Sequence, residues 1–194
     1  MRERKLNLLS DYDYSTSGYY FVTVCSKDRE EWFGKIENGE MRLNTVGEIA
    51  RNSWAEIPLH LQHIEIDEFS VMPNHIHGIL IINESMVGNA YMRSHQRNAF
   101  MHSLQDRTKM LLSKVIQQYK ASVTRKINSS ESSHHFAWQK SFYDHVIRND
   151  RSLDNLRQYI VNNPLKWELD IENGKGNSQH KSSVDYYGEI IGKR

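Results

Sequence analysis

Apolar positions along this chain switch between a spacing of two and a spacing of three to four, and the switches mark out its elements. Residues 18 to 26 are aromatic and β-branched, which predicts a strand. Residues 32 to 43 predict a hairpin, because Asn38-Gly39 supplies the positive φ angles of a tight turn. Thr45 with Glu48 has the form of a capping box. Val46, Ile49, Ala50 and Ile57 then recur on one side, predicting a helix to about Ile57 with Pro58 after it. A strand over 63 to 72, a short turn at Pro73-Asn74 and a second strand to about Asn83 follow. Residues 84 to 102 are polar and aperiodic and predict a loop. From Ser103, Leu104, Leu111, Val115, Tyr119, Val123 and Ile127 lie near one face of a long helix. A Ser-rich loop covers 128 to 135, and a strand lies within Phe136 to Ile147. Asn149, Asp150 and Ser152 offer caps for a helix carrying Leu153, Leu156, Tyr159 and Ile160, which Pro164 stops.

Apart from the early hairpin, the order is β-α-β-β-α-β plus one more helix. That order predicts an α+β fold: a ferredoxin-like antiparallel sheet with helices on one face, and an extra C-terminal helix carrying Tyr159 on the other. Residues 1 to 167 would form the domain. Residues 168 to 194, with Gly174 and Gly176, read as a loosely tethered tail.

Composition narrows the class. The chain has 194 residues, 38% apolar and 25% charged, as in a soluble one-domain protein. Its longest apolar run, Ile79 to Ile82, is too short to span a membrane. No secretory signal is visible, and the single Cys25 permits no internal disulfide; both favour the cytoplasm. The net charge of +1 hides an uneven spread. Residues 36 to 90 hold two basic and eight acidic side chains, whereas 91 to 126 hold eight basic ones against Asp106. Lys109, Lys114, Lys120 and Arg125 belong to that basic stripe, either a phosphate-binding face or a solvated one.

Candidate chemistry sits on the second strand of the central pair. His75 and His77 are two apart, so they share a sheet face while Ile76 takes the other. If Ile76, Leu80 and Ile82 pack under helices, both imidazoles point to the open face, where the last helix would cover them. Two imidazoles on one rigid strand are half of a metal site; from spacing alone they also read as packing residues. On that last helix, Tyr159 and Asn163 lie one turn apart. A tyrosine is a weak nucleophile unless its substrate is activated. A divalent metal held by His75, His77 and Asn163 would polarise a phosphate beside Tyr159.

The segments MPNHIHGILI (72 to 81), WQKSFYDHVIR (138 to 148) and LRQYIVNNPLKW (156 to 167) resemble the REP-associated tyrosine transposases, single-tyrosine members of the HUH endonucleases. YDYSTSGYYFVTVCSKDR (12 to 29) is similar as well, and the motifs keep order and spacing from about residue 12 to 167. The resemblance implies that His75 and His77 are the metal-binding His-hydrophobic-His motif and that Tyr159 is the nucleophile. Asn163 would complete a site for Mg2+ or Mn2+. It implies a single-stranded DNA endonuclease and strand transferase that cleaves at or near DNA hairpins through a 5′-phosphotyrosine, as a monomer or homodimer. Lys109, Lys114, Lys120 and Arg125 would grip the DNA backbone, with Tyr91, Arg93 and Arg97 as further contacts.

Rival readings are specific. Tyr143 is a second tyrosine in a matching segment, more simply a strand residue; His145 shares its strand face. His134-His135 reads as solvated, Trp54, Trp138 and Trp167 as packing, and Cys25 as a buried strand residue. A non-catalytic binder of repeated DNA hairpins would keep the fold without the reaction. A metallohydrolase barrel built on a His-x-His strand would need a longer chain and an eightfold repeat.

Overall fold

A computed structural model describes residues 18–83, 97–129, 135–173 and 182–192, with 97–110 described by backbone alone. Four strands form one antiparallel sheet: β1 Gly18–Cys25, β4 Ile64–Val71, β5 His75–Ile82 and β6 Tyr143–Ile147. Their spatial order is β4-β5-β1-β6. β1 pairs with β5 along its whole length, Gly18 opposite Ile82 and Cys25 opposite His75. This is the split βαβ order expected from the sequence.

The hairpin β2 Gly34–Glu37 and β3 Glu40–Leu43 stands apart. Its turn residues Asn38 and Gly39 have φ of 54° and 76°, the left-handed pair that a two-residue hairpin loop requires.

Alternation along the strands gives the sheet two buried faces. Val22, Val24, Ile76 and Leu80 face α1 Thr45–Ala55 and α3 Arg97–Asn128, meeting Ala50, Trp54, Val115, Tyr119 and Val123. Phe21, Ile79 and Ile147 face the other way, under α4 Asp150–Asn162 and α5 Ser183–Ile191, and pack with Leu156, Ile160, Tyr187 and Ile191. Gly78 is required on the first face: a Cβ there would sit 2.3 Å from the Trp54 ring.

Several boundaries differ from expectation. Asn44, not Thr45, caps α1, its side chain accepting from Gly47 N at 2.9 Å. Both residues are good caps; the backbone of Asn44 is extended and that of Thr45 is already helical. The helix stops at Ala55, and Pro58 lies inside a short second helix, α2 Ile57–His60, at a position where its missing N–H is harmless. α3 starts at Arg97 rather than Ser103, so the last part of the expected loop is helical; residues 84 to 96, with Tyr91 and Arg93, lie outside the described ones. The described residues after 167 are packed onto the domain. Asp170 and Glu172 are buried, and α5 lays Tyr187 fully inside the second core. Gly174 and Gly176 lie outside the described residues. Among the described residues no helix is long and apolar enough to cross a membrane.

Candidate metal and tyrosine site

The site grows from β5. His75 and His77 project from the face that α4 covers, and both are fully buried. Each ring is held through Nδ1. His75 Nδ1 lies 2.8 Å from Asn74 Oδ1, which can only accept, so His75 carries its hydrogen there. His77 Nδ1 lies 3.0 Å from Thr23 Oγ1 on the neighbouring strand. The two Nε2 atoms meet at 2.8 Å. Nδ1 tethering with Nε2 turned inward is the arrangement that presents imidazoles to a metal.

α4 brings the other groups. Its N-cap, Asn149, accepts from Ser152 N at 2.8 Å, and Leu153, Leu156 and Ile160 anchor it to the sheet. Tyr159 then reaches the strand: its hydroxyl lies 3.0 Å from His77 Nε2 and donates to Asp170 Oδ2 at 2.7 Å. Asn163 is fully buried one turn on, and its Nδ2 donates to the same Asp170 oxygen at 2.5 Å. Asn163 Oδ1 is buried and has no hydrogen-bond partner.

Asp170 is the residue that the sequence did not reveal. It follows the 3-10 turn Pro164–Leu169, and its Oδ1 accepts from Glu172 N at 2.7 Å. One donor atom from each of His75, His77 and Asp170 lies within 4.8 Å of the others. Burial by itself would raise the Asp170 carboxyl. The hydrogen bond from His77, the electrostatic influence of the two imidazoles and the Asn163 amide reverse this and hold it well below the usual carboxylate range. Burial, with His77 alongside, pushes His75 well below its ordinary value and keeps it neutral. Burial, then the neighbouring Tyr187 and Asp170, pushes the Tyr159 phenol well up, so it waits as a proton donor.

The residues fit a divalent cation. A neutral imidazole and an ionised carboxylate meet in one buried place, and the Asn163 amide bonded to that carboxylate carries an oxygen with no donor; a buried acceptor without a partner is costly. His75, His77 and Asp170 are the candidate ligands, with Asn163 Oδ1 beside them.

Other predicted residues lie elsewhere. Tyr143 sits on β6 against Phe21 and Tyr187, its phenol pushed up to about 12 by burial and then Asp144. Its ring contacts lie with Phe21 and Tyr187, whereas Tyr159 bonds His77. His145 is on the same strand face, opposite Phe21. Trp54 is core, Trp138 packs against that core, and the Trp167 ring lies 5.8 Å from His75. The Cys25 thiol is buried and pushed up by burial, then by Glu172. His135 is exposed, and His134 lies outside the described residues.

The basic helix packs on the opposite face of the sheet from the histidines. Lys114 and Arg125 are exposed there, and the Lys109 side chain lies outside the described residues. Lys120 is engaged internally, its Nζ donating to the carbonyls of Gln139 at 2.8 Å and Ser141 at 3.0 Å.

Comparison with known proteins agrees with this architecture. No family model matches the chain. A Haemophilus influenzae protein described only as uncharacterized is 35% identical over 170 residues, 88% of this chain and 93% of that one. A second Haemophilus influenzae protein, named "Putative REP-associated tyrosine transposase", is 24% identical over 160 residues, 81% of this chain and 77% of the other. A solved structure of a REP-associated tyrosine transposase bound to a REP hairpin matches with TM-score 0.54 and 20% identity, over 86% of this chain and 74% of that one.

Proposed function

From a chain that belongs to one family with the 35%-identical Haemophilus influenzae protein and resembles the REP-associated tyrosine transposases, we propose a metal-dependent single-stranded DNA endonuclease and strand transferase. It acts at or near DNA hairpins through a tyrosine, in the manner of a transposase, where the cell keeps its DNA, in the cytoplasm. The observation that carries the reading is the Tyr159 hydroxyl, 3.0 Å from His77 Nε2 and 2.7 Å from Asp170 Oδ2.

In this reading Tyr159 Oη attacks a backbone phosphorus. The bond to O3′ breaks, leaving a free 3′-hydroxyl and a 5′-phosphate on the tyrosine. The phenol proton has an acceptor already in place, Asp170 Oδ2. The phosphotyrosine keeps the phosphodiester linkage, so a returning hydroxyl can rejoin strands and release Tyr159. Mg2+ or Mn2+, held by His75, His77 and Asp170 with Asn163 at hand, would polarise the phosphate oxygens and stabilise their developing charge. Magnesium prefers oxygen ligands, so two imidazoles suit manganese at least as well. Asn74 and Thr23 fix the rings, and α4 excludes water from behind the tyrosine. Exposed Lys114 and Arg125, with Lys109 on the same helix, are proposed contacts to the hairpin backbone.

In this reading Tyr159 acts with the histidines of its own chain, whether the protein works as a monomer or a homodimer. The alternative is a non-catalytic binder of repeated hairpins. Cleavage decides between them: a labelled hairpin oligonucleotide with a single-stranded flank is cut in manganese by the wild type, and not by His77→Ala or in chelator. Absence of cutting by the wild type, with binding retained, favours the binder.

A further inference from the structure

Glu172 is buried just outside the candidate ligand set, and hydrogen bonds run from it toward all three ligands. Its main-chain N–H donates to Asp170 Oδ1 at 2.7 Å. Its main-chain carbonyl accepts from Asn74 Nδ2 at 2.9 Å, and the Arg29 carbonyl accepts from the same nitrogen at 3.2 Å. Two carbonyls on that nitrogen fix which way round the Asn74 amide lies, so Asn74 Oδ1 faces His75 Nδ1. The Glu172 side chain is met only by donors. Arg29 Nη2 lies 2.8 Å from Oε2, and Ser183 Oγ and the Tyr187 hydroxyl of α5 each lie 3.4 Å from Oε1.

A carboxylate can only accept, and that sets a direction on everything bonded behind it. Tyr187 spends its one hydrogen on Glu172, so toward Thr23 Oγ1, 3.3 Å away, it accepts. Thr23 thereby spends its own hydrogen on Tyr187, so toward His77 Nδ1, 3.0 Å away, it too accepts. His77 must then carry a hydrogen on Nδ1. Both Tyr187 contacts are long, but Thr23 and Tyr187 are buried, where a hydroxyl takes the partner on offer. The nitrogen left to give up its proton is Nε2, the atom turned to His75 and Tyr159.

We propose that Glu172 is a positioning residue of the metal site: through Tyr187 and Thr23 it holds His77 as an Nδ1–H ring, and through Asn74 it does the same for His75, so that both rings offer Nε2 to a divalent cation. The proposal rests on the metal-dependent reading above. It also gives a task to α5, which lies beyond the segments that resemble the transposases.

The test uses the full chain with manganese alone and no DNA. In the metal-free protein at mildly alkaline pH, nitrogen NMR shifts of the imidazoles report which ring atom carries hydrogen. The wild type is expected to carry it on Nδ1 in both rings. Tyr187→Phe frees the Thr23 hydroxyl to donate to His77 Nδ1. Glu172→Gln keeps its oxygen toward Arg29, turns an amide donor toward Tyr187 and reverses the whole chain. In each variant His77 should hold its hydrogen on Nε2, while His75, fixed through main-chain carbonyls, keeps the wild-type pattern. Manganese affinity should fall about 10- to 100-fold, read from the paramagnetic resonance of the free ion. Lost packing alone would lower the urea midpoint without moving the His77 hydrogen. If Glu172→Gln does not fold, Tyr187→Phe, which removes a single oxygen, decides alone. A bare His77 Nδ1 in the wild type, or an Nδ1 still hydrogen-bearing in the folded variants, overturns the relay. A moved hydrogen with unchanged manganese affinity overturns its link to the metal. A wild type that binds no manganese overturns the metal-dependent reading itself, and the ring shifts still decide the relay.

Discussion

Tyr159 and Asp170 are joined by a 2.7 Å hydrogen bond between residues eleven apart, across the 3-10 turn that ends the tyrosine helix. Asp170 thereby touches the tyrosine, Asn163 and His77 at once. Asp170→Asn keeps the shape and removes the charge. Its manganese affinity is expected to fall roughly 10- to 100-fold, with tyrosine-adduct formation falling alongside and hairpin binding retained. Titration calorimetry with manganese checks this, and an unchanged affinity removes Asp170 from the ligand set.

A second tie holds the tyrosine helix to its own sheet. Arg157 on α4 donates to Asp67 on β4 through Nε at 3.0 and 3.2 Å and through Nη2 at 2.6 Å. The Asp67 carboxyl is lowered although burial opposes it, because Arg157 and the Glu68 N–H bond its charged form. A carboxyl lowered in the folded state stabilises the fold above its unfolded value of ~3.9. That stability is lost as pH falls through the folded value. Asp67→Asn should cost about 1 kcal/mol at neutral pH, discounted for the half-exposed guanidinium. It should also show a shallower loss of urea midpoint between neutral pH and acid than the wild type. Equal acid slopes in both proteins would contradict the clamp.

Gly78 lies beneath a fully buried indole, and an added methyl would fall 2.3 Å from it. Trp54 has no room to retreat. Gly78→Ala should lower stability by about 1–3 kcal/mol, seen as a reduced urea midpoint; a neutral effect would mean that this face is loosely packed.

Lys120 separates a strut from a DNA contact. Its ammonium bonds two backbone carbonyls and is half-buried. Lys120→Ala should lower the urea midpoint, by about 1–2 kcal/mol for two charged hydrogen bonds, with little change in the salt dependence of DNA binding. Lys114→Glu, at an exposed position, should leave stability alone and reduce the salt slope by about one. The reverse pattern would return Lys120 to the DNA surface.

The sheet was legible because β1 and β5 are short, β-branched and aromatic runs, apolar on both faces, bounded by turn residues. The histidine pair and the Tyr159–Asn163 spacing were legible because period two and period four place side chains without tertiary knowledge. Asp170 and Glu172 were not. They follow Pro164 in a stretch without periodicity, and only long-range packing with Asn74, Tyr159 and α5 gives them an address. The cap of α1 was ambiguous because Asn44 and Thr45 are both capping residues. The reach of α3 was hidden by weak amphipathicity over its first turns. Lys120 looked like its basic neighbours, since no local pattern distinguishes a solvated ammonium from one bonded to a distant carbonyl.

The central claim is that Tyr159 becomes covalently joined to DNA beside the histidine pair. The most direct measurement incubates the protein with manganese and a labelled hairpin oligonucleotide, isolates the adduct and maps the modified residue by peptide mass spectrometry. The account predicts a 5′-phosphate ester on Tyr159, lost in Tyr159→Phe while DNA binding persists. An adduct on Tyr143, or one that forms undiminished in Tyr159→Phe, would contradict it.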